Sequence, residues 1–145
     1  MVLDDTIELA RKIRVHSLKM ANRGGSSHIG SILSMADILA VLYGRVMTYR
    51  ADDSNWDGRD RFILSKGHAG AGVYAVLAES GFFSVSELKK YYQDGSIYSG
   101  HVSHKDISGV ELSTGSLGHG LPVANGIALA AKVDKKDRKS TRLNS

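Results

Sequence analysis

The chain has 145 residues, the usual size of one domain, and can bury one moderate core but hardly two. Its 42% hydrophobic and 23% charged residues, with 16 glycines, belong to a globular protein rich in tight turns and exclude a disordered chain. The formal charge of +4 is mostly terminal: residues 1–132 hold 14 Lys+Arg against 13 Asp+Glu, a net +1, and residues 133–145 hold 5 against 2, a net +3, so no basic face for nucleic acid is expected on the body.

Asp5 and Glu8 have the spacing of a capping box, and Leu9, Ile13, His16 and Met20 share one helical face. This predicts a first helix over 5–23, ended by Gly24-Gly25. Residues 24–34, GGSSHIGSILS, are expected to form a loop around His28 in which the backbone can approach a ligand. Ser34 with Asp37 then caps a second helix, whose apolar stripe is Ile38, Leu39, Leu42, Tyr43 and Val46. Turn residues at 55–60 run into Arg61-Phe62-Ile63-Leu64-Ser65, the pattern of a buried strand. Lys66-Gly67-His68 follows as a tight turn, and a helix over 69–79 is closed by Gly81. Such a strand, turn and helix aims free helix amides into the crevice where anionic cofactors bind in α/β proteins.

Ser84 and Glu87 cap a further short helix to about Tyr92, and Asp94-Gly95 opens a long irregular segment, 96–113, holding His101, His104, Asp106 and Glu111. The glycine-rich stretch 114–120, TGSLGHG, precedes a helix over 122–132 with Pro122 in its first turn. Residues 133–145 are polar, basic and without periodicity. They read as a non-native or disordered tail and are set apart from the fold over 1–132. With no cysteine, disulfides and thiolate chemistry are excluded. The first residues lack a signal-peptide layout, and the apolar stretches 38–43 and 123–131 fall short of the roughly 20 residues that span a bilayer. A cytoplasmic protein is the expectation.

Four of the six histidines, His28, His68, His101 and His119, lie in glycine-bearing loops where imidazoles can converge. Taken singly, each reads more simply as a surface or backbone-bonded residue. His101 and His104, with Asp106 and Glu111, make a zinc or iron site conceivable, but an irregular loop lacks the fixed spacing of a metal motif. A non-catalytic metal or interaction module is the rival reading from a different class. The 115–120 loop matches neither the dinucleotide nor the P-loop pattern, yet its glycines let amides approach a phosphate at a helix start. Lys66 reads as a phosphate partner or, more simply, as a solvated lysine at a strand end.

SSHIG around His28, RDRFILSKGHAG around His68, SGHVS around His101 and ELSTGSLGHGLPVANGIALAAK from Glu111 together resemble the transketolase family in order and spacing. The likeness is nearest the N-terminal subunit of split transketolases. It implies an α/β thiamine-diphosphate-binding fold, a mainly parallel sheet flanked by helices, of which this chain holds the helix-rich N-terminal portion. It also implies transfer of a two-carbon ketol unit from a ketose phosphate to an aldose phosphate. By position, His28, His68 and His101 resemble the family's active-site histidines, and Gly67, His68, Gly115, Ser116 and Leu117 its cofactor-lining segments. A deoxyxylulose-phosphate-synthase-like enzyme of the same superfamily shares the S-K-G-H segment. The magnesium ligands, a Gly-Asp-Gly motif and an asparagine, are expected beyond Lys132. A C-terminal subunit or domain is expected to complete the site in a homodimer or heterotetramer, so the isolated chain is expected to be inactive, with no nucleic-acid or membrane partner.

Overall fold

In the computed structural model, residues 5–136 and the backbone of 3–4 and 140–143 are described. The elements run α1 (Leu3–Gly24), α2 (Ile29–Leu33), α3 (Ala36–Val41), a π-helical turn (Leu42–Val46), β1 (Arg61–Leu64), a 3-10 turn (Gly67–Ala69), α4 (Gly70–Glu79), a second 3-10 turn (Val85–Lys90), α5 (Gly120–Val133) and β2 (Ser140–Leu143).

The first helix forms where its periodicity predicts. Thr6, Ala10, Ile13, Ser17, Met20 and Ala21 are buried along one face, which packs on α3 and α4. Each large apolar side chain so buried contributes about 1.5–3 kcal/mol. Because the helix begins at Leu3, Asp5 lies inside it and the expected capping box does not form; Glu8 instead pairs with Arg11 one turn on. Gly25, at φ +60, takes the left-handed residue that ends the helix.

The expected loop at 24–34 contains α2, and the expected second helix starts at Ala36 after Met35, with no side-chain cap from Ser34. Tertiary contacts account for both differences. Ile32, Met35, Leu39 and Ala40 turn into the core, and Gly72 of α4 lets Met35 and Ile32 pack against it where a Cβ would lie 2.6 Å from the Met35 methyl carbon. Residues Ile29–Val46 reach a mean hydropathy of 1.5 over 18 residues, enough by composition for a membrane span. The run breaks between α2 and α3, and Ile32, Met35, Leu39 and Ala40 enter the core while Ile38, Val41 and Val46 stay exposed.

α4 is buried on all sides, which is why its sequence is apolar rather than amphipathic. It lies at the centre of the core, flanked by α1, α3 and the second 3-10 turn, with the rings of Tyr91 and Tyr98 against Tyr74. β1 pairs in parallel with β2, which lies within the basic tail, Arg61 opposite Ser140 and Leu64 opposite Leu143. On α5, Gly120, Ala124 and Ala131 are buried, while Leu129 and Val133 are 63% and 73% exposed, an uncovered apolar face.

Candidate active site

Three segments are sewn together at the C-terminal end of β1 by main-chain bonds and one side-chain hydroxyl. The Thr114 hydroxyl donates to the Leu64 carbonyl at 2.5 Å, the Val102 amide to Gly67 at 2.9 Å, and the Thr114 amide to Val102 at 3.3 Å. A Cβ on Gly67 would lie 1.8 Å from the Thr114 carbonyl oxygen, so the tight approach at this glycine is to another strand of backbone. Gly120 meets the same strand end: its amide donates to Ser65 Oγ at 3.2 Å, seating the start of α5 there.

His68 and His101, held by this seam, meet His28 at the head of α2. Their ring centroids are 4.9 Å apart for His28 and His68, 6.2 Å for His28 and His101, and 6.4 Å for His68 and His101. His28 and His101 are exposed and His68 is half-buried. His28 heads α2 at φ 69, a left-handed conformation that costs a side chain-bearing residue free energy and aims the ring across the cleft. His101 is fixed through its carbonyl, which accepts from the Tyr74 hydroxyl at 3.1 Å and from Ser99 Oγ at 2.6 Å. His68 Nε2 shares a hydrogen bond of 2.9 Å with Ser31 Oγ. Burial lowers the pKa of His68, and the neighbouring His28, His101 and Lys66 lower it further, which favours a neutral imidazole.

Lys66 departs from its sequence reading as a solvated lysine. It is 7% exposed, burial lowers its pKa, and its ammonium donates to the Ser31 carbonyl and to Ser34 Oγ, each at 2.9 Å. Among the described residues, neither Lys66 nor any of the three histidines forms an ion pair. A cation and three imidazoles without a carboxylate partner fit an anionic, oxygen-rich ligand.

Gly115, Ser116 and Leu117 follow directly on Thr114 and are exposed, Leu117 at 63%. Gly118, at φ +84, needs its glycine to turn the chain into α5. His119 precedes α5 and makes no ring contact with the other three among the described residues. His104 does not converge on a metal with His101: its Nδ1 is paired with Ser113 Oγ at 2.7 Å. Glu111 is buried between Arg59 and Arg61. Among the described residues, no group of three His, Asp or Glu could hold a metal ion.

The cavity beside His28 and His101, bounded by Ser26, Tyr91 and Gly100, is only about 70 Å³, well under the roughly 300–1,000 Å³ of a ligand pocket. By itself this cavity cannot enclose a cofactor-sized ligand. A larger hollow of about 560 Å³ lies between α1 and the second 3-10 turn, lined by Lys19, Met20, Arg23 and Leu88, away from the histidines. Nothing in the residue pattern singles out Ser31, Ser34, Tyr74 or Thr114, whose parts in the site rest on contacts 27 to 50 residues apart.

The family described as transketolase, thiamine diphosphate binding domain, matches residues 6–142. A 6-deoxy-6-sulfo-D-fructose transketolase subunit from a Clostridium species is 38% identical over 125 residues, covering 86% of this chain and 46% of that protein. An apulose-4-phosphate transketolase subunit from Phocaeicola vulgatus is 39% identical over 137 residues, covering 94% of this chain and 48% of its own length. The crystal structure of transketolase from Campylobacter jejuni superposes with a TM-score of 0.91 at 34% identity, over 99% of this chain and 24% of that one. The chain thus spans about half the length of these curated relatives. With the fold, the family match and the relatives in agreement, the chain belongs to the transketolase family and carries part of its thiamine-diphosphate-binding domain.

Proposed function

We propose that this chain is the N-terminal part of a transferase that moves a two-carbon ketol unit from a ketose phosphate to an aldose phosphate. The observation that carries the reading is the meeting of His28, His68 and His101 from three separate segments, with centroids 4.9 to 6.4 Å apart. Relatives whose names specify a sulfo sugar and a sugar phosphate support an anionic sugar as the donor class.

Thiamine diphosphate fits the imidazoles and the exposed backbone of Gly115, Ser116 and Leu117. When bound, it supplies the nucleophilic carbon and electron sink for making and breaking a carbon–carbon bond. The residues of this chain bind, orient and handle protons. His28 and His101, both exposed in the cleft, donate hydrogen bonds to the sugar's carbonyl and hydroxyl oxygens. His68, kept neutral by burial, accepts or donates a proton at the seam. A magnesium ion bridging to the diphosphate would need ligands that the described residues do not supply, and a partner subunit or domain would supply the opposite wall, in a homodimer or heterotetramer.

The test restores the chain to the length of its relatives, adds the partner subunit, thiamine diphosphate and magnesium, and measures ketol transfer for wild type and His28→Ala. Transfer by wild type, with a loss of about a hundredfold or more in the variant, is the expected result. An assembly that neither transfers a ketol unit nor binds thiamine diphosphate overturns the reading.

A further inference from the structure

We propose that Lys66 is a positioning residue: its buried ammonium pins the segment bearing His28 and Ser31 against the turn bearing His68. The inference rests on the catalytic reading above.

A five-residue helix has almost no stability of its own, so the placement of α2 must come from outside it. Core packing and hydrogen bonds to Lys66 and His68 supply it. Ile32 is fully buried in the core, and the Lys66 ammonium donates to the Ser31 carbonyl and to Ser34 Oγ, each at 2.9 Å. Ser34 Oγ in turn donates to the Ser31 carbonyl at 2.9 Å, closing a small ring of hydrogen bonds around one atom. Ser31 is also the residue whose hydroxyl meets His68 Nε2, and His28 stands at the head of the same helix. One cation therefore bears on two of the three imidazoles without touching either through a hydrogen bond.

The cost of this arrangement is visible. Lys66 is 7% exposed and has no carboxylate partner among the described residues, so its charge is desolvated without an opposite charge to offset it. A methionine would fill the same space without that cost. What a methionine cannot do is donate to Ser31 and Ser34, or place a positive charge near His68. The groups that face His68 are His28, His101, Lys66 and Ser31, and the first three all disfavour its protonation.

The experiment uses the restored, partnered enzyme at saturating thiamine diphosphate. Wild type is assayed first, because absence of ketol transfer there sinks the functional reading itself rather than this inference. With wild type active, Lys66→Met should lower kcat by about tenfold or more, as expected when reacting groups shift by a fraction of an ångström. It should also move the acid limb of the pH profile upward, with Tm close to wild type. Lys66→Arg, which keeps the charge, should hold the acid limb in place. A kcat and acid limb like those of wild type in Lys66→Met overturn the proposal. So does a loss that appears only when thiamine diphosphate is lowered below saturation, which would make Lys66 a cofactor ligand. Should Lys66→Met fail to fold, Ser34→Ala decides, since Ser34 is exposed and its loss removes one acceptor. A several-fold fall in kcat supports the pinning role, and unchanged activity overturns it.

Discussion

The Tyr74 hydroxyl donates to the His101 carbonyl at 3.1 Å and accepts from the Ser103 amide at 3.0 Å, so a core side chain of α4 fixes the loop that carries a site histidine. Burial pushes the phenol up to about 12, and it stays protonated and able to donate throughout the neutral range. Tyr74→Phe keeps the ring packing and leaves the Ser103 amide without its acceptor. The expected cost is about 1–3 kcal/mol in denaturant unfolding, together with a several-fold fall in ketol transfer. A variant matching wild type in both would show that Ser99 alone holds His101.

Gly67 and Thr114 make a second, harsher prediction. The 1.8 Å between a Cβ on Gly67 and the Thr114 carbonyl oxygen leaves no rotamer to relieve the clash, because both partners are backbone. Gly67→Ala must therefore pull the glycine-rich segment off the strand end. The expected result is a loss of more than about 3 kcal/mol or insoluble protein, whereas Gly115→Ala, with nothing within 4 Å, should fold normally. Soluble yield and Tm of the two variants side by side check this.

The parts of the fold that the sequence announced are those set by local pattern. The 3.6-residue period of Ile13 and Met20 marked α1, and the apolar run from Phe62 to Leu64 marked β1. The parts it concealed depend on distant partners. α2 has too few residues to show a period and is held by Lys66 and the core, and the Ser34 hydroxyl serves Lys66 rather than capping the start of α3. Polarity argued for a solvated Lys66, because nothing in the residues around it reveals that Ser31 and Ser34 will enclose it. Tyr74 lies in the core within the helix expected over 69–79, and the local pattern carries no sign that its hydroxyl reaches a loop 27 residues on. The convergence of His28, His68 and His101 was legible through the family resemblance; loop composition alone favoured three unrelated surface imidazoles.

His28 trades stability for placement. At φ 69 its backbone sits where asparagine and glycine are at ease and most side chains are not. His28→Gly should therefore leave stability unchanged or raise it by up to about 1 kcal/mol while lowering ketol transfer sharply. His28→Val, β-branched, should lose both. Thermal melts set beside activity for the two variants check this, and a clear loss of stability in His28→Gly would mean that the imidazole contributes more to holding α2 than its conformation costs.

His68 gives the fold a pH dependence of defined sign. Its pKa in the folded chain is lowered from 6.5, first by burial and then by His28, His101 and Lys66, so near and below pH 6.5 the unfolded chain binds more protons at this position than the folded one. Stability at this position therefore rises with pH through the window between the lowered value and 6.5, and is lost as pH falls through that window. Melting the restored protein at about pH 7.5 and about pH 5 should show a drop on acidification that is smaller in His68→Gln. The same lowering keeps the wild-type ring neutral at neutral pH, where it can both donate and accept. An equal drop in wild type and variant would place the acid sensitivity elsewhere, with Glu79 the first group to examine. Burial alone would raise the pKa of Glu79, but its bonds to Lys12 and His16 outweigh that and lower it, so its ion pairs too weaken as acid protonates it.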